Sequence, residues 1–379
     1  MTARRSQVIL GATGVAMAAL AWATSDWAVL VEWHRAAVLP RVTATLQPLS
    51  GASTSTLGEV LAVVLVATAL LALIVRRTAV LGSLGLAMGL AVVSFYLSWG
   101  LAYRYGPLSS RLAPLAATSD TASIHHLVEA AESAAGLLGR AASAAPVVDG
   151  DPVSVMARIN AGLTEGMGRL PAALDASPVG GIAFGPVKIS RVSFALSRLQ
   201  LSGYYLPWTG EAQINGEMPQ TLWPRVAAHE KAHQRGFARE NEATVIGLLA
   251  CLKSDDPMVL YGGALGLYAG FDRELARVDR EARARIWNTL PSRAVADFKA
   301  EVAFWKAHEG AAGAVSEKVN DTYLKAQGVR SGVLSYGETT RLILQAIETE
   351  SLHLAGLLRK ASPERGRPEV TGIAPPPIR

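Results

Sequence analysis

The chain carries one cysteine, Cys251, in 379 residues. That excludes an intramolecular disulfide framework and any zinc site built on thiolates. Charge is scarce as well: 18% of residues are Asp, Glu, Lys or Arg, against about 25% in an ordinary soluble domain. Aromatic residues make up only 6%, and the 36 basic and 31 acidic residues leave a mild net charge of +5. No run of Lys and Arg is long enough to form a nucleic-acid footprint, so a nucleic-acid partner is not expected. Half of the residues are hydrophobic. A chain this apolar and this poorly charged is neither disordered nor wholly cytosolic, and attachment to a lipid bilayer is the expectation. The length allows two or three domains.

The hydrophobic residues concentrate near the N-terminus, in runs at 8–24, 57–75 and 78–103. A spanning helix needs about 20 apolar residues, which the second and third runs supply and the first nearly does. The first run also has the outline of a cleaved signal peptide, with Arg4 and Arg5 before it and Ala21 and Ala23 at its end. Two further runs follow, and Trp22 and Trp27 suit an interface belt, so a retained anchor is the reading adopted. Arg4, Arg5, Arg76 and Arg77 place the N-terminus and the 76–77 turn on the cytoplasmic side. Residues 1–103 are therefore expected to form an anchor of three transmembrane helices, with everything after Tyr103 outside the cytoplasm.

Residues 104–360 have the pattern of a second, mostly helical domain. Apolar residues recur at helical spacing over 119–144 and 152–170, with Ser119 and Asp151 as N-caps. Residues 171–186 are rich in Pro, Gly and Ser and read as a loop, and 187–215 suggests a small strand region. Helices dominate from Trp223 to about Leu358, and the Pro-rich 361–379 tail is expected to be disordered. The apolar stretch 244–271 is interrupted by Lys253, Asp255, Asp256 and Pro257, so it reads as two core helices rather than a fourth span.

One segment carries chemistry. His229-Glu230-Lys231-Ala232-His233 is an HExxH. Residues four apart share a helix face, so both imidazoles can reach one zinc ion. The metal brings the pKa of its water toward 7, and Glu230 stands where a general base would take that proton and pass it to a leaving amine. A third ligand is expected in the QRGFARENEAT that follows, from Glu240 or Glu242. On a straight helix Glu240 would lie under His233 but about 10 Å farther along, too far for one ion. Gly236 offers the freedom to turn the chain back. Glu240 is favoured, with Glu242 the alternative.

The HEKAHQRGFARENEA core resembles that of a bacterial membrane family catalogued as domain of unknown function 3810. GYYLPWTGEAQIN before it, and LLACLKSDDPMVLYGG and VNDTYLKAQGVRSGVLSYG after it, resemble family segments in the same order. Lys231 stands where the family usually has an apolar residue, and Thr244 where it usually has Asn. ENEAT is similar to the Glu-x-x-Ala-(Asp/Asn) third-ligand motif of other zinc peptidases, which favours Glu240. The resemblance implies a zincin-like, gluzincin-type metallopeptidase domain in the bacterial inner membrane.

Further residues are weaker candidates. Tyr204, Tyr205 and Glu211 precede the motif, and GEAQIN is a possible edge strand that pairs with substrate backbone. Asn320, Asp321, Tyr323 and Tyr336 offer an oxyanion donor or a supporting carboxylate. His34, His125, His126, His308 and His353 read as structural. The expectation is a mainly α, membrane-anchored peptidase that binds one zinc ion and acts on peptides or proteins of the cell envelope. A zinc hydrolase of a non-peptide envelope bond and a non-catalytic scaffold with a structural zinc are the alternatives.

Overall fold

In a computed structural model of the chain, the structure describes residues 2–52, 56–75, 80–112, 120–147, 150–170, 185–327 and 336–348. The protein is mainly helical, with three short strands among the described residues. The N-terminal part comprises α1 (Thr2–Ala23), α2 (Ala28–Trp33), α3 (Leu39–Ala52), α4 (Leu57–Val75) and α5 (Val80–Ser98). A π-helical turn at His34–Val38 joins α2 to α3. Its His34 is buried and pairs with the Tyr105 hydroxyl (2.7 Å) and the Leu97 carbonyl (2.9 Å), a structural role.

Among the described residues, one helix is by itself long and apolar enough to cross a membrane, over Ser6–Ala23. The expected three separate spans are therefore not all present in that form. The second apolar run joins Ala28–Ala52 across a 95° bend, and the apolar part of the third is the shorter Ser83–Ser98. The third run stops short of Tyr103 because the chain leaves its helix at Trp99 and tightens into a 3-10 turn over Gly100–Arg104, buried against the domain. The Arg76–Arg77 turn lies outside the described residues, as do Ser119, His353 and the tail.

The second part begins with α6 (Asp120–Ala144) and α7 (Pro152–Gly168). The Asp151 carboxylate caps α7 by accepting from the Ser154 amide at 2.9 Å. Strand β1 (Lys188–Ile189) follows, then α8 (Ser193–Arg198), β2 (Gly203–Leu206) and β3 (Glu211–Ile214). Val192 and Phe194 were expected in strands, but Ser190 and Ser193 close local side-chain hydrogen bonds that start α8 instead. The remaining helices are α9 (Trp223–Gln234), α10 (Glu240–Lys253), α11 (Pro257–Val278), α12 (Arg280–Trp287), α13 (Ser292–Ala307), α14 (Ala311–Ala326) and α15 (Tyr336–Glu348). The apolar 244–271 stretch is split between α10 and α11 as expected, and Asp256 caps α11 by accepting from the Met258 and Val259 amides. Ala243, Val245, Ile246, Tyr261, Leu265 and Phe271 from these helices form the centre of the main core.

The sheet order is β1-β3-β2, with β1 parallel and β2 antiparallel to β3. The GEAQIN strand is thus central, not an edge, because Lys188 and Ile189 pair along its other side. The edge facing α9 is β2. Ser190 N–H donates to the Ile214 carbonyl, so Ile214 directs its peptide groups to β1. Its register partner Gly203, and Tyr205 two residues on, therefore turn their N–H and C=O groups away from β3.

Candidate metal centre

Helix α9 carries the HExxH, with Pro224 in its first turn and Ala227, Ala228 and Ala232 buried against the core. Four residues apart, His229 and His233 sit on one face, their rings 4.7 Å apart and edge to face. The helix ends at once. Gly236 adopts φ +97°, its amide donates to the His233 carbonyl (2.9 Å), and the Phe237 amide donates to the Ala232 carbonyl (3.2 Å). This is a Schellman-type stop, sealed by the buried Phe237 and Ala232 side chains. The chain reverses and α10 starts at Glu240. Gly247 lets α10 lie on the backbone of α9: a Cβ there would stand 2.8 Å from the His229 amide nitrogen.

The reversal removes the 10 Å obstacle. Glu240 Oε2 lies 3.0 Å from His229 Nε2 and 3.6 Å from His233 Nε2. One donor atom from each of the three residues falls within 4.8 Å of the others. Donors at tetrahedral corners about 2.0–2.1 Å from a zinc ion would be about 3.3 Å apart, so the spacing fits that ion. The far nitrogen of each ring is also held. His233 Nδ1 donates to the Phe237 carbonyl at 2.6 Å, which leaves Nε2 to face the donor cluster. His229 Nδ1 pairs with the Thr244 hydroxyl at 3.2 Å. Thr244 thus holds the outer side of His229 from one turn beyond Glu240.

Charge in the centre is coupled. Burial disfavours the His233 imidazolium, but the Glu240 carboxylate outweighs it and lifts that group to about 9. Glu230 is buried, and burial raises its carboxyl above the usual range, partly countered by His229 and His233. Its carboxylate lies against β2, where Gly203 leaves room for it: a Cβ there would meet Glu230 Oε1 at 2.8 Å.

The other expected residues are placed as follows. Glu242 faces away from the cluster, accepting from the Leu108 amide (2.9 Å) and Arg239 (3.0 Å). Glu211 is also structural: buried, it accepts from the Leu57 and Gly58 amides at the start of α4 and pairs with Lys188 at 2.6 Å. Tyr204 bonds Gln213, and Tyr205 packs on Trp99 with ring centres 4.9 Å apart. Tyr323 pairs with Tyr103 rather than with a member of the donor cluster. Its hydroxyl lies 3.2 Å from that of Tyr103, and burial, with the Glu240 charge contributing, pushes it up to about 12. Asn320 is exposed and Asp321 pairs with Lys325, while the Tyr336 side chain lies outside the described residues. His125 pairs with Glu129, and His308 bonds the Phe304 carbonyl.

Two aromatic neighbours were not foreseen. The Trp99 ring stands edge-on to His233 at 6.0 Å, and Tyr103 lies beside Tyr323. Their signal was available as the aromatic end of the third apolar run, but nothing local tied that end to residue 233. On the His229 and Glu240 side the centre opens into a cleft of about 480 Å3. Ser202, Leu222, Arg225, Val226 and Trp305 are among its walls.

No curated protein and no solved structure matches the chain. One family model does, over residues 36–344, which takes in the sheet, the metal-centre helices and most of the N-terminal part. The chain belongs to that family, described as a protein of unknown function, DUF3810.

Proposed function

We propose that the protein is a membrane-anchored zinc-dependent peptidase, with its N-terminus in the cytoplasm and its metal centre outside. The observation that carries the reading is the convergence of His229, His233 and Glu240 beside a cleft, with the Glu230 side chain of α9 lying against β2. Three protein donors and an open side suit a catalytic zinc, whereas a structural site is closed by a fourth protein ligand. That favours an enzyme over a scaffold. Zinc bound there supplies Lewis acidity and lowers the pKa of a water toward neutrality.

The remaining work falls to the chain's own residues. Glu230, with its raised carboxyl, accepts a proton from the attacking water and passes it to the leaving amine. The outward N–H and C=O groups of Gly203 and Tyr205 form a template for an extended peptide next to that base. This edge favours a peptide over a non-peptide substrate.

The test uses the full chain purified in detergent. Zinc content should be stoichiometric and should fall away in His229→Ala and His233→Ala. A quenched fluorogenic peptide pool should be hydrolysed by the native protein and not by Glu230→Gln, which keeps its zinc. Loss of zinc in Glu230→Gln, or hydrolysis unchanged by it, would refute the assignment.

A further inference from the structure

The metal centre sits one residue beyond the end of an apolar helix. Helix α5 carries no charged residue and ends at Ser98, and the next side chain, Trp99, stands against His233. Helix α1 runs parallel to α5 and packs on it through glycines. A Cβ at Gly14 would fall 1.9 Å from the Gly85 carbonyl oxygen, and one at Gly89 would fall 2.2 Å from that of Gly14. Such backbone approach between small residues is how helices associate in lipid. The pair is tied at both ends, by Gln7 accepting from the Ser83 amide and by Arg104 reaching Ser25 and Asp26. Outside this seam Val8, Ile9, Val15, Leu84, Met88 and Leu90 are exposed.

The ends of four elements mark a common level. At the end of α1 stand Trp22 and Trp27, both exposed. Helix α4 starts at Leu57, where Glu211 accepts from its first amides, and its Val60, Val63, Val64, Leu65 and Val66 are exposed all round the helix. The β2–β3 turn carries the exposed Trp208, whose indole N–H donates to the Ser94 hydroxyl on α5 at 3.0 Å. Tryptophans gathered where apolar helices end are the signature of a membrane–water interface. Ser94 precedes Trp99 by five residues, about 7.5 Å along a helix. The donor cluster therefore lies on the order of 10 Å above the level of Trp208, and its cleft opens on the side of His229 and Glu240, across the cluster from Trp99.

We propose that the substrate is a polypeptide anchored in the same membrane, cut no nearer than about three residues beyond the point where it leaves the bilayer, at about 3.3 Å per extended residue. This rests on the peptidase reading for the cut, but not for the depth. A chain emerging beside α5 meets the open edge of β2 first and reaches the cleft after passing the metal centre. A freely diffusing protein would have to bring an unfolded segment to within about 10 Å of lipid, whereas an anchored one is delivered there at high effective concentration.

Two measurements test it on the full chain in lipid nanodiscs. For depth, Trp208→Cys and Val153→Cys are labelled with a fluorophore; Cys251, buried with its thiol held protonated, does not compete. Lipid brominated near the headgroups should quench the label at 208 strongly and that at 153 weakly. Equal or absent quenching at 208 overturns the proposal, whatever the protein hydrolyses. For the cut, a peptide already cleaved in detergent is joined to a membrane-spanning anchor through a spacer of about 5 or about 25 residues. The short spacer should be cut about tenfold faster than the long one in nanodiscs, with the difference lost in detergent. Equal rates, or a faster long spacer, overturn the substrate class. Failure of the peptidase reading itself would show differently, as no hydrolysis of the free peptide.

Discussion

A methyl group added at Gly203 would stand 2.7 Å from the Gln213 carbonyl oxygen, 2.8 Å from Glu230 Oε1 and 3.0 Å from Glu230 Cγ. The Gln213 oxygen belongs to the central strand and is held by the ladder, so β2 is pushed outward at that contact and the glutamate has to give way as well. Restoring ordinary contact of about 3.5 Å needs the carboxylate to retreat by roughly 0.5–1 Å. A shift of that size in a reacting group costs about a hundredfold in rate. The three atoms nearest the added carbon belong to Gln213 and Glu230, so the donor atoms of His229, His233 and Glu240 are not what it displaces first. Gly203→Ala should therefore keep stoichiometric zinc, lose about two orders of magnitude in peptide hydrolysis and lose about 1–3 kcal/mol of stability from overpacking. The assays are metal analysis, hydrolysis of the fluorogenic pool and thermal melting on one preparation. Activity within a factor of two or so of native would refute the placement of Glu230 against β2 as the working position of the base.

Other substitutions separate the roles around the centre. Glu240→Ala should lose zinc during chelator titration, while Glu242→Ala should hold it and instead lower the melting temperature, because Leu108 and Arg239 lose their acceptor. The reverse pattern would invert the ligand assignment. Thr244→Ala should weaken zinc about tenfold to hundredfold by freeing His229 Nδ1, and Thr244→Ser should largely restore it. Gly236→Ala forces a side chain into φ +97°, which costs about 1–3 kcal/mol and loosens Glu240; an unchanged melt would show that the turn relaxes. Glu211→Ala removes one half of a buried ion pair and the acceptor of the Leu57 and Gly58 amides, and should cost about 3–5 kcal/mol, with zinc retained in the folded fraction.

The helical spacing of His229, Glu230 and His233 was legible because one short periodic segment contains it all. Counting faces could also separate Glu240 from Glu242, since two residues apart they diverge by about 200°. What the count could not supply was the path between the helices, which depends on Gly236 entering positive φ and on Gly247 admitting close packing. The edge strand was misassigned for a related reason. Only two residues, Lys188 and Ile189, form the partner that makes GEAQIN central, and so short a strand has no periodicity to read. The apolar runs were legible as composition, but where α5 stops depends on Trp99 packing against a histidine 134 positions later. Glu211 shows the same limit: its chemistry suggested a substrate contact, while its partners are amides of a helix that begins far earlier in the chain.

That clasp has a consequence for how the protein is made. The Leu57 and Gly58 amides at the head of α4 are satisfied by a carboxylate 154 and 153 residues downstream. During synthesis α4 exists long before Glu211 does, so the amides of its first turn must wait for their acceptor. The carboxylate arrives only when β3 has been laid between β1 and β2, bringing Lys188 with it. Seating of the helix and completion of the sheet are thus one event. A chain whose domain misfolds therefore keeps an uncapped helix head, exposed as a mark of the missing sheet.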